Sequence, residues 1–282
     1  MASNSNLQVA GDRGNLRGFG NLFRKENHQW WGTWQWVIQI VIWLAIVNGM
    51  MAMVALAAPK IEAAQVAGKI AEAEAATARE ATGQTALMVF FIFSGLAMST
   101  GVVIIGQDAV IQERQSGTAA GILSKPVARP AFLLSKLAAD ALGILACMVL
   151  VQGGVAYAIY RLGTGKLLPI AGFLAGLGLV YLVLMFYLAL TLMLGTLFRS
   201  RGPVIGISLI LVYGNQLAAI SKAIGKVMPW NLVMDLGPDR PSLALLLAQG
   251  QPLPTVLPII STVIWILCFT LVAILRFQRE EF

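Results

Sequence analysis

The sequence predicts an all-α membrane protein with six transmembrane helices. Of its 282 residues 58% are hydrophobic and only 12% charged, with a mean hydropathy of +0.77, whereas soluble domains carry about 25% charged residues. Six apolar segments approach or exceed the roughly 20 residues needed to cross a hydrocarbon core about 30 Å thick. None shows the alternation of barrel strands, and lipid leaves no partner for an unpaired backbone amide, so each is expected to be a helix. The segments run from Trp34 to Ala58, Ala86 to Gly106, Leu137 to Tyr160, Ile170 to Phe198, Pro203 to Ile220 and Val256 to Leu275.

The polar first 33 residues hold no short apolar core with a small-residue cleavage site, so a retained cytoplasmic tail is expected rather than a signal peptide. Within it, Leu16, Phe19, Phe23 and Trp30 recur at near-helical spacing, while Arg17, Arg24, Lys25 and His28 fall mostly elsewhere on the wheel. That pattern predicts an amphipathic helix in the inner headgroup layer, weakened at its start by Gly18 and Gly20. It serves either as an anchor or as a contact for a cytoplasmic partner. Trp30, Trp31, Trp34 and Trp36 mark the interface where the first span enters.

Residues 34–282 form the transmembrane domain. Its outer loop, 59–85, is rich in Ala and Glu with no proline after Pro59, which favours helical extensions of the flanking spans. An extracytoplasmic protein docking there is a second use of the same loop. The cytoplasmic loop, 107–136, begins as a polar continuation of the second span and is interrupted at Gly117. Thr118 can cap a stubby helix, Ala119 to Ser124, which must stop before Pro126 because the residue preceding proline is pushed out of the α region. The outer segment 221–255 carries five prolines, and between Pro241 and Pro252 lies one short apolar helix, capped by Ser242 and ended at Gly250. It is too short to cross and is expected to be re-entrant or to lie on the surface.

An even number of spans puts both termini on one side. Twelve of the twenty Lys and Arg residues fall there, with net charge +5 against +2 opposite, so the termini are expected to be cytoplasmic in an integral protein of a prokaryotic plasma membrane. The +7 total charge reflects this topology, and no nucleic-acid module accompanies it.

Ionisable groups are scarce inside the spans. Asp140 is the one acid there, one turn after Lys136, a spacing that permits a local ion pair and leaves a proton relay as the other reading. Asn48, Gln152, Asn215 and Gln216 either line a path or bond between helices, Asn215 and Gln216 being the path candidates. Cys147 and Cys268 lie within spans as small core residues. The single histidine, His28, and the lack of paired carboxylates or a Ser/His set argue against metal, haem or hydrolytic chemistry in the bundle.

The loop between the second and third spans carries the most specific pattern: Glu113, Arg114, Gly117, Thr118, Leu123, Pro126 and Arg129. With the span count and the amphipathic N-terminal helix, it resembles the six-helix ABC type 2 exporter permeases, and is most similar to the branch related to copper-enzyme-maturation permeases. The Ala/Glu-rich outer loop is longer than in the shortest members of that family. The resemblance implies a permease pairing with a second copy or a paralogue and carrying two ATPase subunits, with Ala119 to Ser124 as the coupling helix. No Gly-x-x-x-x-Gly-Lys-Ser/Thr run occurs in the chain, so ATP and magnesium belong to a separate nucleotide-binding chain, and no cofactor is expected in this one. The alternatives are a membrane scaffold that anchors a cytoplasmic ATPase, and a membrane enzyme.

Overall fold

The computed structural model describes residues 14, 16–57, 72–116, 127–217, 221–237 and 241–279. Among these, five helices are long and apolar enough to cross a membrane: α2 (Gln35–Leu56), α3 (Thr77–Glu113), α4 (Arg129–Thr164), α5 (Ile170–Leu197) and α10 (Leu257–Gln278). They are joined by α1 (Phe19–Trp31), α6 (Arg201–Val212), α7 (Lys222–Val227), α8 (Trp230–Val233) and α9 (Leu243–Ala248). The described residues are all-helical, with no strand among them, and their five long apolar helices are compatible with an integral membrane protein.

The fifth apolar segment differs from its expectation. Instead of a helix from Pro203 to Ile220, α6 ends at Val212 after 12 residues and passes into a 3-10 turn, Gly214–Gln216. At 1.5 Å per residue α6 spans about 18 Å, short of the hydrocarbon thickness. The carbonyl of Leu211 explains where it stops. It accepts both the Tyr187 hydroxyl at 3.1 Å and the Trp230 indole N–H at 2.8 Å, so α5 and α8 satisfy an acceptor that a longer helix would have bonded internally.

α5 sits at the centre. It is apolar on every face, as a helix surrounded by others must be, and packs against α3, α4, α6, α9 and α10. α2 and α10 lie at the periphery, most of their apolar surface facing outward. Short helix α9 reaches α5 through two glycines one turn apart. A Cβ at Gly172 would lie 2.1 Å from the Leu247 carbonyl oxygen, and one at Gly176 would lie 2.8 Å from that of Ala244. Small residues at this spacing let two backbones touch in a bilayer. Ser242 accepts the Leu245 N–H at the start of α9, and Gly250 turns the chain at φ +74° just beyond its end, the two positions that the sequence marks as caps.

The first three spans each contain π-helical turns, at Leu44–Asn48 and Met53–Ala57 in α2, Ser94–Met98 in α3 and Leu145–Leu150 in α4. Wide turns free backbone acceptors, and Gln152 uses one: its Nε2 donates to the carbonyls of Cys147 at 3.1 Å and Ile40 at 3.2 Å, while its Oε1 accepts Asn48 Nδ2 at 2.7 Å. Asn48 and Gln152 therefore bond α2 to α4. Asn215 and Gln216 lie in the turn after α6, half-buried and exposed respectively.

Candidate functional site

The site forms where α1 meets the loop-side ends of α3 and α4. α1 buries Leu22, Glu26 and Trp30, four residues apart on one face, and packs this face against α4. Trp30 is 2% exposed, packed inside the protein, and its indole N–H donates to Asp140 Oδ1 at 2.8 Å. Leu16, Trp31 and Trp34 are exposed, and the half-buried Phe19 and Phe23 stack with ring centroids 5.9 Å apart. Arg24 is exposed.

Four charges interlock beneath α1. Lys136, only 4% exposed, places its ammonium 3.0 Å from Glu26 Oε2 and 3.0 Å from Glu113 Oε1. Lys25 reaches the same Glu113 oxygen at 3.0 Å and Glu26 Oε1 at 3.4 Å. Three helices thus each contribute to one alternating cluster. Burial opposes the charge on Lys25, but the hydrogen bond it donates to Glu113 and the negative charges of Glu113 and Glu26 outweigh it, so its pKa is raised above 10.5.

The local pair expected between Lys136 and Asp140 is replaced. An exposed i,i+4 pair contributes about 0.2–0.5 kcal/mol, whereas a lysine buried to this extent needs close, well-aligned carboxylates to offset its desolvation. Glu26 from α1 and Glu113 from α3 supply them, and Asp140 turns to Trp30. Glu26 and Lys136 were the members that sequence reasoning did not bring together. The available signal was that Glu26 falls midway between Leu22 and Trp30 on the buried stripe.

The loop leaves and re-enters the bundle at this cluster. The helix of α3 continues to Gln115, just past Glu113. Gly117, Thr118, Leu123 and Pro126 lie outside the described residues, and for Arg114 the description covers the helical backbone. On the return, the Ala128 N–H donates to the Arg17 carbonyl at 2.9 Å and an Arg129 guanidinium N–H donates to the Gln278 carbonyl at 2.6 Å. Lys136 lies 5.2 Å above the Phe132 ring, which stacks on Phe277 of α10 at 5.2 Å. The loop's return is therefore tied to the start of α1 and the end of α10.

A cavity of about 280 Å³ opens beside the cluster between α1, α3 and α4, its wall including Lys25, Gln29, Asp108, Gln112, Glu113 and Asp140. The second oxygen of Glu113, Oε2, is buried without a hydrogen-bond partner. Asp108 pairs with Arg201 at 2.7 Å and links α3 to the start of α6. Among the described residues no group of three or more His, Cys, Asp or Glu side chains is arranged to hold a metal ion.

No curated protein matches the chain. A family model described as "Protein of unknown function (DUF2705)" matches residues 45–282, which takes in all five membrane-length helices except the first ten residues of α2. The chain belongs to this family of proteins of unknown function, DUF2705.

Proposed function

We propose that this protein is the transmembrane permease subunit of an ATP-driven ABC exporter, coupling ATP hydrolysis in a separate nucleotide-binding chain to movement of a substrate across the membrane. In this reading α6 and the turn after it complete a set of six crossings, the termini are cytoplasmic in a prokaryotic plasma membrane, and a second copy or paralogue completes the permease. The observation that carries the reading is the setting of the loop with the Glu-Arg-x-x-Gly-Thr and Pro-x-x-Arg pattern. Its first end leaves beside Glu113 in the charge cluster, and its other end is bonded to Arg17, just before α1, and to α10 through Ala128 and Arg129.

A partner seated on residues 117–126 would then push at once on α3, α4, α1 and α10. Rigid-body motion of packed helices is a standard way of converting closure of one subunit into rearrangement of another. Glu113 passes the displacement to Lys136 of α4 and Lys25 of α1, and Arg129 passes it to the end of α10. Phe19, Phe23 and Arg24 keep α1 in the headgroup layer as a lever along the bilayer.

The test begins with purification of the native complex. A cassette ATPase is expected to co-purify, and its turnover in the complex is expected to lose its dependence on the permease when Glu113→Ala and Arg129→Ala are combined. Absence of any cassette ATPase, or unchanged coupled turnover in the double variant, overturns the proposal. A co-purifying ATPase whose turnover never responds to the membrane chain would favour the scaffold reading.

A further inference from the structure

A second cavity, of about 300 Å³, lies at the opposite rim, between α7, the loop preceding α9 and the start of α10. The ends of α10 fix that separation. Its Phe277 and Gln278 touch Phe132 and Arg129 near the charge cluster, while Leu257 and Pro258, about 30 Å away along a helix rising 1.5 Å per residue, line this cavity.

The walls are stiff. Pro241, Pro254 and Pro258 contribute fixed backbone angles and no N–H groups. Asn231, 4% exposed, holds the Pro241 carbonyl with its Nδ2 at 2.9 Å. The first N–H of α10 is already taken, since Leu257 N donates to Thr255 Oγ1 at 3.2 Å. Among the described residues the one charged side chain in the wall is Lys226, which is exposed and has no ion-pair partner there.

From this cavity an apolar stripe runs down the outer face of α10. Leu257, Ile260, Ile264, Leu267, Leu271 and Leu275 recur at steps of three and four residues, and all are exposed. A preformed pocket with the Lys226 ammonium in its wall, continued by an apolar track the length of a membrane helix, matches the shape and charge of an anionic lipid: head at Lys226, chain along α10. We propose that this rim binds the phosphate of an anionic phospholipid, with an acyl chain lying against the α10 stripe. The inference stands on this cavity and the α10 stripe and does not rest on the exporter reading.

The test uses the full-length chain in nanodiscs of phosphatidylcholine containing a minor fraction of phosphatidylglycerol, with lipids that stay bound counted by native mass spectrometry. Lys226→Gln is expected to weaken retention of phosphatidylglycerol about fivefold, the effect of about 1 kcal/mol per lysine beside anionic lipid. Lys226→Arg is expected to retain it, and Lys166→Gln, which removes an exposed lysine paired with Glu80, is expected to leave it unchanged. Equal retention by wild type and Lys226→Gln overturns the proposal. So does displacement of the lipid by inorganic phosphate or glycerol phosphate at matched concentration, which would make this a site for free phosphate. A cysteine at Leu267, in a Cys268→Ser background because the native Cys268 is itself exposed, tests the occupant of the stripe. Rapid disulfide formation between two copies there would assign the stripe to a second chain and also overturn the lipid assignment.

Discussion

Trp30 occupies the space that a side chain at Gly143 would fill. A Cβ built at Gly143 lies 2.4 Å from Cδ2 of the indole, and the same indole donates to Asp140 on the preceding turn of α4. One glycine and one carboxylate thus seat α1, and with it Lys25 and Glu26, against the bundle. A rigid indole has no flexible end to yield.

Gly143→Ala should therefore unseat α1. Overpacking of this kind costs about 1–3 kcal/mol, and the expected result is a lowered melting temperature together with faster protease cleavage within residues 19–31. Gly154→Ala, where an added Cβ meets nothing within 4 Å, is the matched control and should leave both readouts close to wild type.

Lys136→Met removes the central cation and leaves Glu26 and Glu113 facing each other with Lys25 alone. Breaking a buried pair by removing one partner costs about 3–5 kcal/mol, and the value here should fall near the lower end because Glu113 keeps one lysine. Adding Glu113→Gln to Lys136→Met should recover part of the loss. Denaturation of the two variants in matched detergent checks this, and equal stability of single and double variants would remove the buried pair from the account.

Gly172→Ala should separate α9 from α5, because the added methyl would meet the Leu247 carbonyl oxygen at 2.1 Å and a backbone atom cannot rotate away. Gly178→Ala on the same helix meets nothing within 4 Å and should be silent or slightly stabilising, since alanine favours helix by about 1 kcal/mol over glycine. Paired thermal melts distinguish the two.

The bond from Asn48 to Gln152 should show a coupling of about 0.6 kcal/mol in a double-mutant cycle with leucine replacements, the average for interhelical hydrogen bonds in membranes. Gln152→Leu alone should cost more than Asn48→Leu alone, because Gln152 also holds the carbonyls of Ile40 and Cys147. The opposite order would mean that those two backbone bonds contribute little.

The amino-acid order alone determined the class of molecule, five of the long apolar helices, the amphipathic character of α1 and the caps of α9 at Ser242 and Gly250. These depend on local terms: transfer of apolar side chains out of water, the obligatory pairing of amides in lipid, and the backbone preferences of serine and glycine at helix ends. The tertiary structure decided what depends on distant partners. It ended α6 at Val212 because Tyr187 and Trp230 arrive at the Leu211 carbonyl from elsewhere in the chain. It gave Lys136 to Glu26 and Glu113, 110 and 23 residues away, in place of the neighbour one turn along its own helix. Spacing reveals which side chains share a face, but the partner of a buried charge is set by the helix that packs over it, and that is fixed only when the bundle closes.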